Sequence, residues 1–215
     1  MISNLKPLKK TFFATACMMC WFIGLSQGDT STFKAQIALG LNSPSKEGFV
    51  STFESKSINL PTVNLGVQYM FKPKLGAKLD FGFNRLSNLD NTPEFKINYT
   101  RINAQLVYNA SRLFGYLPQR IGVFPHAGPG FAFVTPLAGY LQNKTSFLNV
   151  MGGLEFHYGL SDTVSAYVDT SYILGFADDF SPVSSGFGSF NGNILTVTVG
   201  LSLSLSGCYY CQRHE

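Results

Sequence analysis

Three observations predict an all-β fold, an eight-stranded antiparallel up-and-down transmembrane β-barrel. Apolar residues alternate with small or polar ones over eight segments, and the connections between those segments alternate long and short. The chain is also poor in charge, with 13% charged and 14% aromatic residues, where a soluble domain usually carries about 25% charged residues. Strand side chains point to opposite faces in turn, so each segment has one oily and one polar face.

The clearest unit is the hairpin from Thr62 to Arg85. Val63, Leu65, Val67, Tyr69 and Phe71 fall on one face, against Thr62, Asn64, Gly66, Gln68 and Met70. After Lys72, Pro73 and Lys74 the pattern resumes: Leu75, Ala77, Leu79, Phe81 and Phe83 oppose Gly76, Lys78, Asp80, Gly82 and Asn84. Pairing residue 71 with residue 75 keeps both apolar sets together. Each arm is about ten residues, the length a tilted strand needs to cross a bilayer.

The chain opens with an export signal. Lys6, Lys9 and Lys10 precede an apolar run from Phe12 to Leu25, and Ser26, Gln27 and Gly28 place small residues where a signal peptidase reads. The run is about 14 residues, short of the roughly 17–25 of a spanning helix, so any crossing falls to strands. The expected organisation is a signal at 1–28, a barrel at 29–205 and a periplasmic tail at 206–215. Losing the signal removes three lysines and no acid, taking the formal charge from +4 to +1. The basic balance therefore belongs to the leader and argues for neither nucleic acid nor an acidic partner.

The other elements follow in order. The first strand is expected at Lys34–Asn42, with Ala35, Ile37, Leu39 and Leu41 on the oily face, before a hydrophilic loop at 43–61. A loop at 86–97 leads to a fourth strand at 98–108, where Thr100, Ile102, Ala104, Leu106 and Tyr108 oppose Tyr99, Arg101, Asn103, Gln105 and Val107. The connection 109–119 holds Phe114 and Tyr116, side chains suited to a membrane interface. The fifth strand, 121–134, carries Val123, Pro125, Ala127, Pro129, Phe131 and Phe133 on its oily face. Each proline removes a ladder donor, so a bulge or strong bend is expected at Pro125–Pro129. Loops at 135–146 and 174–193 flank a sixth strand at 148–158 and a seventh from Val164 to Tyr172. The eighth is the cleanest: Leu195, Val197, Val199, Leu201, Leu203 and Leu205 face away from Thr196, Thr198, Gly200, Ser202 and Ser204.

Alternation leaves open which face is outside. A lipocalin-like barrel buries its apolar face and needs bulky charged residues outside. Here the polar face is mainly Gly, Asn, Gln, Ser and Thr, which suits a crowded interior. Aromatics gather at both strand ends, matching the girdles of a barrel in lipid. Long loops on one side and short turns on the other are the pattern of Gram-negative outer-membrane barrels, with both termini on the short-turn side.

The export signal, the eight strands and the stretch from Gly153 through Leu154, Glu155, Phe156, His157 and Tyr158 to Gly159, Leu160, Ser161 and Asp162 resemble the small outer-membrane barrels of Bacteroidetes, the porin-like and PorT-like family. More distantly the chain is similar to the barrels of OmpA and OmpX. The resemblance spans residues 33–205 and is one of pattern, with no catalytic motif to carry over. It implies an integral barrel, and its PorT-like members imply help to an export machine. Many such barrels end on an aromatic residue in the last strand, whereas this chain adds Ser206–Glu215.

The inward charges are Lys34, Lys78, Asp80, Arg101, Glu155 and Asp169, joined by His126 and His157. Pairing residue 84 with residue 97 sets Asp80 opposite Arg101 as an ion pair. The expected outcome is a self-neutralising polar plug, since an unpaired buried charge is costly; the competing reading is a proton or ion path. His126, His157 and Glu155 could make a metal or acid–base site, but spacing fixes no third ligand. Nucleophile elbows, phosphate loops and zinc motifs are absent from the sequence. Neither histidine falls on the lipid face, where a lipid-modifying barrel enzyme needs it. We therefore expect no enzymatic activity and no cofactor. Cys208 and Cys211 lie on the tail, where a local disulfide is expected in an oxidising periplasm. A free or intermolecular thiol, or a metal pair with His214, stays open. The expected partners are outer-membrane lipid and an extracellular or periplasmic protein, with a monomeric barrel acting through loops 43–61 and 174–193; the alternative role is a transport or secretion-accessory barrel.

Overall fold

A computed structural model describes residues 33–49, 53–114, 116–118, 120–137, 143–177 and 190–206. The leader expected at 1–28 and the pair Cys208 and Cys211 lie outside the described residues. Eight strands run in chain order: β1 (Phe33–Pro44), β2 (Asn59–Met70), β3 (Leu75–Ser87), β4 (Lys96–Tyr108), β5 (Ile121–Pro136), β6 (Thr145–Gly159), β7 (Val164–Phe176) and β8 (Ile194–Ser204). Each pairs antiparallel with the next, and β8 returns to β1 with Ile37 opposite Leu201, closing a barrel. Closure leaves no edge strand, as a bilayer demands, because hydrocarbon cannot satisfy a free N–H or C=O. The start of β1 and the end of β8 meet at the short-turn end, where the Leu205 N–H donates to the Phe33 carbonyl at 2.9 Å.

Alternation decides the faces. Leu195 and Val199 are 39% and 61% exposed on the outside, while Thr196, Thr198 and Ser202 are buried within. That arrangement is the reverse of a lipocalin-like barrel. Exposed Tyr69, Phe156 and Tyr158 ring the short-turn end, and exposed Phe81, Phe131, Phe133 and Tyr172 ring the other.

Several boundaries differ from the sequence reading. β6 starts at Thr145 and β7 runs to Phe176, so the loops expected at 135–146 and 174–193 yield residues to strands. The same holds at 43–61, because β1 reaches Pro44 and β2 starts at Asn59. At the start of β6 and near the end of β7 an oily side chain points inward, since Phe147 and Ile173 are buried, whereas Leu174 and Phe176 stay exposed. At the start of β6 the polarity of the alternation has inverted, with Ser146 outside and Phe147 inside, which hides that extension from a search for apolar-outward rows.

Two further corrections concern register. Between β3 and β4, Gly82 faces Arg101 and Asp80 faces Asn103, two residues away from the 84–97 pairing. The ladder continues to Ser87 opposite Lys96, so the β3–β4 loop is shorter than expected. At Pro125–Pro129 no bulge forms. β5 pairs with β6 in one register from Ile121↔Tyr158 to Val134↔Thr145. Towards β4 the register is equal on both sides of a gap between Asn103↔Gly130 and Leu106↔Ala127; the gap falls where Pro129 has no N–H to give. The register shift lies instead in β1 and β2, between Gly40 and Asn42.

Val123, expected on the oily outer face, is buried by protein. A 3₁₀ turn at Ser111–Leu113 folds over it. Ser111 Oγ accepts the Val123 N–H at 3.0 Å, and the Val123 carbonyl accepts the Ala110 N–H at 2.9 Å.

Candidate functional site: the barrel interior

The inward positions of the central and short-turn portions are mostly polar, with Met70, Val107 and Phe124 among them, and the structure brings the sequence-predicted charges together. Lys34, Lys78, Asp80, Arg101, His126, Glu155, His157 and Asp169 are all buried. Among the described residues the buried cations Lys34, Lys78 and Arg101 are balanced by the carboxylates Asp80, Glu155 and Asp169. Lys78 Nζ donates to Glu155 Oε1 at 2.5 Å and lies 3.8 Å from Asp80 Oδ1. Arg101 Nη1 pairs with Asp80 Oδ2 despite the shifted register, because the long side chain reaches diagonally. Its room comes from Gly82: a Cβ there would stand 2.6 Å from Arg101 Cζ. Arg101 also donates to Asn64 Oδ1 at 3.1 Å and Asn103 Oδ1 at 3.2 Å. Neutral amides thus share the Nη donors with the single carboxylate, while Arg101 Nε is buried without a partner.

The histidines sit in two smaller constellations. Glu155 Oε2 accepts from His157 Nε2 at 2.7 Å and from Gln36 Nε2 at 3.1 Å. His157 Nδ1 lies 3.1 Å from Ser165 Oγ, and its ring stacks on Tyr167 at 4.8 Å. Ser165, His157 and Glu155 therefore line up as a hydroxyl–imidazole–carboxylate relay, the order nucleophilic catalysis uses. Yet Ser165 is 0% exposed, and a relay without access for an acyl group orients a ring rather than attacking a carbonyl. His126 Nδ1 meets Gln105 Oε1 at 2.5 Å, and its Nε2 faces Asp169 Oδ1 at 3.2 Å. Ser171 Oγ donates to that same oxygen at 2.7 Å. Gly153 leaves room for this contact, since a Cβ there would lie 2.7 Å from the His126 ring.

His126, Glu155 and Asp169 offer three metal-type donors within 4.8 Å of one another. Asp169 is the third ligand that spacing could not supply. Their chemistry fits a cation poorly here, because Lys78 already holds Glu155 and the carboxylates are matched one for one by ammonium and guanidinium groups. Reasoning from sequence missed Gln36, Asn64, Gln105, Ser165 and Ser171, although their inward parity in polar rows was the available signal.

The long-loop end is filled differently. Leu86, Ile97, Tyr99, Val134, Phe147, Met151, Ile173 and Ile194 point inward and join Phe53, Phe95 and Phe190 in one apolar cluster. Phe49 closes it from above, its ring 4.7 Å from Phe190 and 5.5 Å from Phe95. Backbone bonds tie the loops that carry these rings. Ser45 N–H donates to the Asn193 carbonyl at 2.8 Å, Asn191 N–H to Gly48 at 3.1 Å, and Leu89 N–H to Glu54 at 2.7 Å.

No family model matches the chain, and no curated protein matches it significantly. Solved structures do. The barrel is similar to a major outer membrane protein of Thermus thermophilus at a TM-score of 0.56 and 15% identity, covering 80% of this chain and 98% of that one. It is also similar to the Neisserial surface protein A at a TM-score of 0.52 and 12% identity, covering 80% and 95%. At these identities the likeness establishes the fold, the closed eight-stranded barrel of outer-membrane proteins.

Proposed function

We propose that this chain is an integral outer-membrane barrel without enzymatic activity, which works through its long-loop end and as a structural element of the membrane. One observation carries the reading. The wall is oily outside, while the interior is occupied from end to end, by compensated charges over one part and by an aromatic cluster over the other. An eight-stranded barrel has room for its own side chains and little more, so solute passage is not its business. Planar-bilayer recordings test this: the folded barrel should give no steady single-channel steps, and stable ohmic steps would sink the proposal. A deletion strain should also keep its lipid acyl pattern.

The alternative, an export-accessory barrel of the PorT-like kind, has one observation in its favour. Leu113, Phe114 and Tyr116 are exposed at the short-turn end, Tyr116 at 83%. A photo-crosslinking residue at position 116 in whole cells discriminates. Adducts to phospholipid fit an interfacial anchor, and adducts to one periplasmic protein fit the export role.

A further inference from the structure

The outward rows do not end alike around the barrel. On β3 they run Leu79, Phe81, Phe83 and then Arg85 and Ser87; on β4, Ile102 and Thr100 give way to Asn98 and Lys96. On β5, Phe131 and Phe133 are followed by Thr135, and on β6 Leu148 is preceded by Ser146. β7 differs, carrying Tyr172, Leu174 and Phe176 exposed to its end, and β8 begins its outward row with exposed Leu195. A hydrophilic collar thus covers one side of the outer rim.

Register makes the collar a patch. Arg85 faces Asn98 and Ser87 faces Lys96 across β3–β4, and Asn98 faces Thr135 across β4–β5. The Arg85 guanidinium lies 5.8 Å from the centre of the Phe83 ring, holding a cation at the last lipid-facing aromatic of its strand. Arg85 Nε and Asn98 Oδ1, on residues paired across β3–β4, are enclosed without a hydrogen-bond partner, which leaves this part of the rim short of a polar contact. The outward positions at these strand ends hold no carboxylate. The nearby acids are Asp90 and Glu94 in the β3–β4 loop and Glu54 beside it, whose carbonyl accepts the Leu89 N–H; Asp90 lies 3.5 Å from Lys56.

We propose that this patch holds the phosphorylated sugar headgroup of an outer-leaflet glycolipid. Arg85 and Lys96 take a phosphate, Asn98, Ser87 and Thr135 take sugar hydroxyls, and the acyl chains lie along Phe83 and Phe133. A guanidinium fork suits phosphate because its parallel N–H groups match the anion's oxygens. A soluble polyanion could use the cations but would gain nothing from the phenylalanines below them. The proposal rests on the outer-membrane reading above.

Native mass spectrometry of the detergent-purified barrel, mixed with a bis-phosphorylated glucosamine disaccharide lipid, tests it. One lipid should be retained, and the double variant Arg85→Gln, Lys96→Gln should lose about tenfold or more in affinity, the worth of one or two charge-assisted bonds. The dephosphorylated lipid should lose as much on the unchanged barrel, and Lys56→Gln should bind as the unchanged barrel does. Equal retention by a double variant that still shows the heat-sensitive gel mobility of a folded barrel would overturn the site. So would equally tight binding of the phosphorylated headgroup without its chains, which would mark a soluble ligand. Cell fractionation tests the location separately: a barrel found in the outer membrane that retains no glycolipid fails only this inference.

Discussion

The two portions of the interior solve the same packing problem with opposite chemistry. In the middle and towards the short turns, the wall is apolar outside and charged within, so each buried ion must find its partner across the lumen. Towards the long loops the interior turns apolar, and an aromatic cluster fills it as it would in a soluble domain. Apolar contacts are non-directional and tolerate small errors, whereas a buried carboxylate without its cation is left uncompensated. The charged portion should therefore be the less forgiving of the two, and substitutions can measure by how much.

The largest effect is expected at Glu155, which holds Lys78, His157 and Gln36 at once. Glu155→Leu should cost about 3–5 kcal/mol by stranding Lys78, read from urea unfolding followed by gel mobility. Adding Lys78→Met should return part of that loss; an additive double variant would refute the coupling. At the other end, Phe190→Ala removes a fully buried ring and should cost about 3 kcal/mol. It should also open the loops to protease while leaving the strands protected. If the two losses came with identical protease patterns, the interior would be one cooperative unit rather than two. Gly82→Ala should cost about 1–3 kcal/mol by crowding the Arg101 guanidinium, whereas Gly152→Ala, with nothing within 4 Å of its Cβ, should cost little. The smallest effect is expected for Tyr99→Phe. Its hydroxyl is buried without a partner, so removal should change stability by less than about 1 kcal/mol and could raise it.

Much of this was legible beforehand. The rows Leu75–Phe83 and Leu195–Leu205 assign inside and outside because an oily face of that length has lipid as its natural neighbour. The inward charges were readable by parity alone. Their partners were not: parity places Asp80 and Arg101 on one face, but a two-residue change of register is invisible to it, and only the glycine at position 82 hinted at where the guanidinium would lie. The aromatic cluster was hidden for another reason. Phe49, Phe53, Phe95 and Phe190 stand singly among Ser, Lys, Glu and Asn in stretches that read as hydrophilic loops, and a lone aromatic has no period to reveal its side. The Ser165–His157–Glu155 relay joins β6 to β7 across a turn, so no local spacing announced it.

Closure through β8 and β1 has a consequence for how the polypeptide could be rewired. Residues 33 and 205 are already bonded neighbours, so a short linker could fuse them and fresh ends could be cut into the β3–β4 loop near Asn91. The permuted chain should assemble the same cylinder, with its ends now on the opposite side of the membrane.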